Sequence, residues 1–175
     1  MFDARASASY DRRATRLLNG LYRRVASEVA AAAPPGAAVL DIGTGPGRLP
    51  LHLARLRPDL ALTGADLSPD MVAIAERAAG SARIAFRVAD VADLPWPDAS
   101  TDLIVSTLSA HEWPEPERAA AELIRVLRPG GRLMIYDFRF ARLGRLAREL
   151  PVERAALHRL SLFTCLRTPE PVGCL

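Results

Sequence analysis

The segment from Val39 to Gly47, Val-Leu-Asp-Ile-Gly-Thr-Gly-Pro-Gly, constrains the fold more than any other part of the chain. Its first residues are typical of a buried strand, and the three glycines that follow stand at alternate positions. Glycine lets the backbone turn tightly and approach a ligand without hindrance from a Cβ atom. A leucine-rich helix is expected over residues 47–57. Strand, glycine turn and helix together form the nucleotide-binding corner of an α/β sheet, so we expect an adenine-containing ligand.

The charge of Asp41 separates two classes of ligand that a glycine turn can serve. Dinucleotide enzymes place a pyrophosphate at the N-terminus of the helix, where an anion is favoured. A carboxylate at Asp41 would repel that anion and would suit a cation, such as the amino group of a methionine moiety. A strand and turn without any ligand is the plain alternative. The presence of the acid favours a cationic ligand over NAD.

Two further strands of the predicted sheet also end on acids. Asp66 follows the second strand, about twenty residues beyond the glycine turn, at the spacing where an acid meets a ribose diol. Asp90 follows the third strand. Because the carboxyl ends of parallel strands meet at one edge of a sheet, Asp41, Asp66 and Asp90 are predicted to lie together. Ligands bind at that edge in open α/β sheets.

Strands and helices are predicted to alternate along the chain, which indicates a doubly wound, mostly parallel α/β sheet with helices on both faces. Strands are expected near 37–42, 60–65, 83–88, 102–107 and 132–137, and helices near 11–33, 47–57, 69–79, 115–127 and after Phe140. About 38 residues follow the fifth strand. They predict a basic amphipathic helix and one short strand over 160–166, with too little room for a full hairpin. We therefore expect shortened C-terminal strands and a sheet without its final strand, whose edge is exposed or covered in a homodimer.

The length of 175 residues indicates a single domain. We divide it into an N-terminal helical cap (1–36), a cofactor-binding core (37–137) and a C-terminal helix with a short strand (138–175). The chain has no apolar run of membrane-spanning length and no signal-peptide core. Cys165 and Cys174 are the only cysteines and lack metal-ligand spacing, so we expect no metal, free thiols and a cytoplasmic location.

The net charge of +3 raises the question of nucleic acid as a partner. The arginines are spread over several helices, and no aromatic-basic pattern or RNA-binding motif accompanies them. Charges on a helix are usually a solvated face. We therefore favour a small-molecule partner, which could be anionic or attached to a carrier, over nucleic acid.

These motifs, from about Val39 to Asp137, resemble the class I S-adenosylmethionine-dependent methyltransferases, and among them the small-molecule methyltransferase 11/25-like proteins. The run Leu127 to Leu133, Leu-Arg-Pro-Gly-Gly-Arg-Leu, matches the family's turn before the fifth strand. The resemblance implies a Rossmann-like fold with S-adenosylmethionine as cofactor and S-adenosylhomocysteine as product. It places the cofactor on ten residues, with the glycine loop at the methionine end, the second acid on the ribose and the third on the adenine amino group: Asp41, Gly43, Thr44, Gly45, Gly47, Asp66, Leu67, Asp90, Val91 and Ser106.

The loop after the fourth strand is the predicted boundary between cofactor and acceptor. In the family a histidine and an aromatic residue commonly occupy this loop, which matches His111 and Trp113. An imidazole can take a proton from a hydroxyl nucleophile near neutral pH, so His111 is the candidate general base. The alternative is that it only caps a helix or bonds the loop. Trp113 is expected to form a pocket wall, and Tyr10 and Tyr22 either line the pocket or are partly buried aromatics.

The function implied by the resemblance is methyl transfer to oxygen, nitrogen or carbon of a small molecule. Such transfer depends largely on alignment of nucleophile, methyl group and sulfur, so the absence of a catalytic triad does not exclude it. The alternative is a cofactor-binding protein of the same fold that does not methylate, either a regulatory subunit or an enzyme of other chemistry. The shortened C-terminus is the feature that favours this alternative.

Overall fold

The computed structural model describes residues 19–138, 140–156 and 163–169, with the backbone alone for residues 153–156. Within these residues the helices are α1 (19–32), α2 (Arg48–Leu56), α3 (Pro69–Ala79), α4 (Pro116–Val126) and α5 (Gly144–Glu149), and a single 3₁₀ turn spans Ala110–Glu112. The strands are β1 (Ala38–Ile42), β2 (Ala61–Asp66), β3 (Ile84–Val88), β4 (Thr101–Thr107), β5 (Leu127–Phe138), β6 (Glu153–Ala156) and β7 (Phe163–Arg167).

The strands form one seven-stranded sheet with the order β3-β2-β1-β4-β5-β7-β6. The pairs among β1 to β5 are parallel, and β7 is antiparallel to both of its neighbours. The strand order reverses between β1 and β4, and such a switch point opens a crevice at the carboxyl ends of the strands. The prediction of a doubly wound, mostly parallel sheet is confirmed.

Two hydrophobic cores cover the two faces of the sheet. Neighbouring residues of β1 belong to different cores, because successive side chains of a strand point to opposite faces: Val39 packs with residues of α1 and α2, and Leu40 with residues of α4 and α5. Burial on both faces explains why β4 carries the apolar run Leu103 to Val105, all of it inaccessible to solvent. The sheet therefore holds its carboxyl edge on a rigid base.

The expectation that the sheet lacks its final strand is wrong. β7 pairs with β5 from Phe163 to Arg167, and β6 pairs with β7. Helix α5 has only six residues, which leaves enough chain for two strands of four and five residues. The predicted shortening of these strands is confirmed, and the outer edge of the described sheet is β6 instead of β5.

Two details of the C-terminal half also differ from the sequence-based expectation. The run from Leu127 to Gly131 is part of an extended β5 whose register shifts between Thr101 and Leu103, so these residues bulge from the ladder. The predicted basic helix begins at Gly144, and it buries Leu146 while Arg145 bonds Glu117 of α4 at 2.7 Å. In the described part of the chain, none of the helices combines the length and the apolar character that crossing a membrane requires.

Candidate functional site

The glycine turn joins β1 to α2 with all three glycines at positive φ, at +67° for Gly43, +53° for Gly45 and +75° for Gly47. A Cβ at Gly43 would overlap the side chain of Ser109, and a Cβ at Gly47 would lie 3.0 Å from Phe86. Gly45 differs, because a Cβ there would meet no atom within 4 Å. Packing therefore requires two of the glycines, and the third borders open space that a ligand can enter.

Asp41 is a buried carboxylate at the end of β1, with 3% of its surface exposed. Its Oδ2 accepts a hydrogen bond from Thr44 Oγ1 at 2.7 Å, and its Oδ1 has no partner among the described residues. Burial, with a smaller contribution from the nearby Asp66, raises the pKa of Asp41 to about 7 against the lowering effect of the Thr44 hydrogen bond. A buried acceptor without a donor is costly, and a cationic N–H donor on a ligand would relieve that cost.

Asp66 closes β2 beside the same turn. Its Oδ2 accepts the backbone N–H of Gly45 at 2.8 Å, and its Oδ1 accepts the N–H of Ser68 at 2.9 Å. Burial raises the pKa of Asp66. Each carboxylate oxygen accepts about two hydrogen bonds, so each keeps room for one more donor. A vicinal diol supplies two such donors, and the neighbouring Leu67 offers an apolar side chain that is 66% exposed.

The remaining predicted cofactor residues lie at the ends of β3 and β4. Asp90 follows β3, and its Oδ1 accepts the N–H of Ala92 at 2.9 Å. Val91 packs its side chain into the core on the α4 side. Ser106 pairs with Ile42 across the switch point, and its buried Oγ has no hydrogen-bond partner within the residues described. Their contacts with a cofactor stay predictions.

His111 is held by Asp137, a residue that the sequence analysis did not single out. Asp137 lies near the end of β5 and is fully buried. Its Oδ1 lies 2.8 Å from Nδ1 of His111, its Oδ2 accepts the backbone N–H of His111 at 3.0 Å, and the N–H of Phe138 donates to Oδ1 at 2.8 Å. The available signal was an acid near the end of another parallel strand, β5, which is the same pattern as Asp41, Asp66 and Asp90.

Trp113 and the two tyrosines have different surroundings. Nε1 of Trp113 donates to Ser109 Oγ at 3.0 Å, and the Ser109 side chain covers Gly43, so this tryptophan braces the loop against the glycine turn. Tyr22 is 6% exposed and belongs to the core on the α1 side. Tyr10 lies outside the described residues.

Aromatic rings surround the end of β5. The Phe138 ring makes a T-shaped contact with the His111 ring, with centroids 5.6 Å apart, and stacks on Phe140 with a centroid distance of 5.0 Å and an interplanar angle of 11°. It also packs on Phe163, with centroids 5.6 Å apart. Phe140 is 75% exposed. The carboxyl edge of the sheet thus presents a polar half around Asp41 and Asp66 and an aromatic half beside His111.

A family described as "Methyltransferase domain" matches residues 40–135 of the chain. Among curated proteins, a demethylmenaquinone methyltransferase of Thermus thermophilus is 39% identical over 102 residues, which are 57% of this chain and 46% of that protein. A 27-O-demethylrifamycin SV methyltransferase of Amycolatopsis mediterranei is 38% identical over 107 residues, 59% of this chain and 39% of that protein. The chain spans about half the length of the curated relatives it matches.

The solved structure of a TehB-like SAM-dependent methyltransferase from Corynebacterium glutamicum superposes with a TM-score of 0.76 at 23% identity. The match covers 97% of this chain and 100% of that one. The two proteins share their fold over this length.

Proposed function

Because the chain belongs to the class I S-adenosylmethionine-dependent methyltransferase family, we propose that it transfers a methyl group from S-adenosylmethionine to oxygen, nitrogen or carbon of a small molecule. S-adenosylhomocysteine is the second product. The observation that carries the proposal is the unpartnered Oδ1 of Asp41 at the start of a glycine turn with open space at Gly45. The residues therefore fit a ligand that bears an ammonium group beside a short aliphatic chain.

Each part of the cofactor has a partner of suitable chemistry in this proposal. Asp41 receives the ammonium group, Asp66 receives the two ribose hydroxyls, and Leu67 packs on the adenine ring, whose amino group bonds Asp90. The backbone from Gly43 to Gly47, with Thr44, surrounds the methionine chain, and Val91 and Ser106 complete the contact. The sulfonium supplies the methyl group, and these residues contribute by fixing its position and excluding water.

The acceptor is a small molecule in this proposal. The two curated relatives named above act, by their names, on demethylmenaquinone and on a demethylrifamycin. We propose a cytoplasmic location because cysteine is sparse in this chain. The non-methylating alternative relied on the shortened C-terminus, and the short strands β6 and β7 still pair with the sheet, which weakens that reason for preferring it.

The deciding experiment measures both binding and turnover. Calorimetric titration should detect S-adenosylmethionine and S-adenosylhomocysteine and no binding of NAD. Incubation with S-adenosylmethionine and a panel of phenols, amines and cell extract should then release S-adenosylhomocysteine in an acceptor-dependent manner. Binding without any release would favour the non-methylating alternative, and absence of binding would refute the proposal.

A further inference from the structure

The carboxylate of Asp137 hydrogen-bonds both the backbone and the ring of His111. The oxygen that faces the ring, Oδ1, lies 2.8 Å from Nδ1, and Oδ2 binds the backbone N–H of the same residue. An ionised carboxylate only accepts hydrogen bonds, so Nδ1 must carry the hydrogen in this contact. In the neutral imidazole the other nitrogen, Nε2, then holds a free lone pair.

Nε2 lies on the open side of this arrangement. The His111 side chain is 30% exposed, whereas Asp137 behind it is fully buried. Among the described titratable groups that face the ring, Asp137 contacts Nδ1, and Glu112 places Oε1 3.8 Å from Nε2, beyond hydrogen-bonding distance. The geometry leaves Nε2 available to a proton on a bound molecule.

The surface beside the His111 ring is aromatic. Phe138 presents its ring to His111 and is stacked on Phe140. Phe140 is the most exposed of the large hydrophobic side chains in the described residues, followed by Leu67 at 66%. Both residues follow strands that end at the carboxyl edge of the sheet, so the two most exposed apolar side chains flank the edge where a ligand binds.

We propose that Asp137 is a positioning residue that fixes His111 with Nε2 free, and that the methyl acceptor is an aromatic alcohol whose ring packs on Phe138 and Phe140. The proposal rests on the proposed function, since the methyl group comes from the cofactor placed at Asp41 and Asp66. A phenolic hydroxyl has a pKa of roughly 10, which is far closer to the pKa of an imidazole than the pKa of an aliphatic alcohol is. His111 can therefore assist the ionisation of a phenol.

The step balances without any further reactant. The hydroxyl proton passes to Nε2 of His111, the acceptor oxygen bonds the methyl carbon, and the electron pair of the broken carbon–sulfur bond stays on sulfur in S-adenosylhomocysteine. The positive charge moves from sulfur to the imidazolium, where the Asp137 carboxylate stabilises it. Loss of that proton to water restores the neutral ring.

The first test reads the tautomer of His111 by ¹⁵N NMR of the full chain, which has three histidines. The signals are assigned with His111→Gln, and we expect hydrogen on Nδ1 and a bare Nε2 in the neutral ring. Asp137→Asn should shift the ring toward the other tautomer, because an amide can turn an N–H donor toward Nδ1. Since Asp137 is buried, thermal unfolding checks that this variant folds. A bare Nδ1 in the wild-type protein would overturn the assignment even if the variant is unstable.

The second test measures binding of 2-naphthol and of its saturated counterpart, 2-decalol, to the protein saturated with S-adenosylhomocysteine. We expect 2-naphthol to bind more tightly than 2-decalol, because an aromatic ring can pair with the ring of Phe140. Phe140→Ala should therefore weaken the binding of 2-naphthol by roughly 2- to 12-fold. Leu56→Ala is the matched control, because Leu56 is also exposed (52%) but ends α2, at the opposite edge of the sheet.

The outcomes separate this inference from the proposed function. If S-adenosylhomocysteine does not bind, the proposed function itself fails. If it binds, and 2-naphthol either fails to bind, binds no better than 2-decalol, or is indifferent to Phe140→Ala, the aromatic-acceptor inference is overturned while the cofactor assignment stands.

Discussion

The affinity for S-adenosylhomocysteine should depend steeply on pH through Asp41. This carboxyl group is buried, and its pKa is raised to about 7 in the ligand-free protein. If the ammonium group of the ligand requires an ionised Asp41, the ligand must displace a proton at any pH below that value. The apparent affinity then falls by the factor 1 + 10^(pKa − pH), which is roughly 11-fold at pH 6 and roughly 100-fold at pH 5. At alkaline pH the affinity should fall again, because the α-amino group of the ligand loses its proton there.

Isothermal titration calorimetry measures this dependence directly. Titrations at pH 5, 6, 7 and 7.5 give the dissociation constants, and pairs of buffers with different ionisation enthalpies give the number of protons released. At pH 6 about 0.9 proton should leave the protein for each ligand bound, and about half a proton at pH 7. An affinity that is flat from pH 5 to 7.5, with no proton release, would show that Asp41 does not receive the ammonium group.

Asp41→Asn is the matched variant, since it keeps the shape of the side chain and removes its titration. This variant should bind S-adenosylhomocysteine more weakly than the wild-type protein does at pH 7.5, and its affinity should not change between pH 5 and 7. Asp66→Asn provides a second check: because the charge of Asp66 helps to raise the pKa of Asp41, its removal should move the inflection to lower pH. An unmoved inflection would mean that the two carboxylates do not interact.

The ligand-free protein offers an independent measurement of the same group. Because the pKa of Asp41 is higher in the folded state than its ordinary 3.8, the unfolded chain ionises first as the pH rises. The contribution of this group to stability is therefore complete below about pH 4 and is lost as the pH rises toward 7, a total of about 4 kcal/mol. Urea unfolding should show a steeper loss of stability between pH 4 and 7 for the wild-type protein than for Asp41→Asn, which keeps only the smaller slope of other carboxyl groups such as Asp66.

Four further predictions concern single residues and assembly. Gly45→Val should abolish cofactor binding in calorimetry while circular dichroism stays native, whereas Gly36→Val, at a φ of +68° with equally free surroundings, should leave binding intact; normal binding by Gly45→Val would place the ligand elsewhere. Asp66→Ala should weaken cofactor binding by about 1.5–3 kcal/mol for each hydroxyl bond lost. Asp59→Ala is its control, because it also removes an acceptor of a backbone N–H but should leave cofactor binding unchanged; an Asp66→Ala variant that binds the cofactor as tightly as the wild type would contradict the assignment. His111→Ala should lower turnover of a hydroxyl acceptor by roughly 10²–10⁴ with cofactor affinity preserved, and should remove the imidazole inflection from the pH–rate profile; a fully active variant would leave alignment as the catalytic device. Light scattering should find a homodimer joined at the outer edge of β6, with twice the mass of 18.9 kDa, and a monomer at micromolar concentration would exclude this association.

The parallel half of the sheet could be predicted because its sequence signals are local and agree with one another. β1 and β4 are apolar runs, and Ser68 caps α3 by accepting the N–H of Met71 ahead of a proline at the first helical position. Acids at the carboxyl ends of β1 and β2 were predicted to share one edge, and the Asp66–Gly45 hydrogen bond joins the ends of those strands. Alternation of strand and helix then determined the architecture.

Strand β6 could not be predicted because its sequence favours another structure, whereas β7 overlaps the short strand expected over 160–166. β6 has the sequence Glu-Arg-Ala-Ala, which consists of good helix formers, and it is extended because it pairs with β7. The hydrogen bonds between Asp137 and His111 join residues that are 26 positions apart, and they depend on β5 lying next to β4. Similarly, the position of Ser109 over Gly43 follows from the tertiary path of the loop. Tertiary pairing decided each of these features.

The buried polar groups at the carboxyl edge are of two kinds: some already have hydrogen-bond partners in the protein, and others could gain a partner from a ligand. Asp137 accepts hydrogen bonds at both oxygens, so its cost of burial is met whether or not a ligand is bound. In contrast, Asp41 Oδ1 and Ser106 Oγ, at the ends of adjacent strands β1 and β4, have no partners among the described residues. Each such atom costs about 1–3 kcal/mol, which a ligand that supplies a donor recovers on binding. The strands at the switch point therefore favour the bound state, while the His111–Asp137 pair is organised before any ligand arrives.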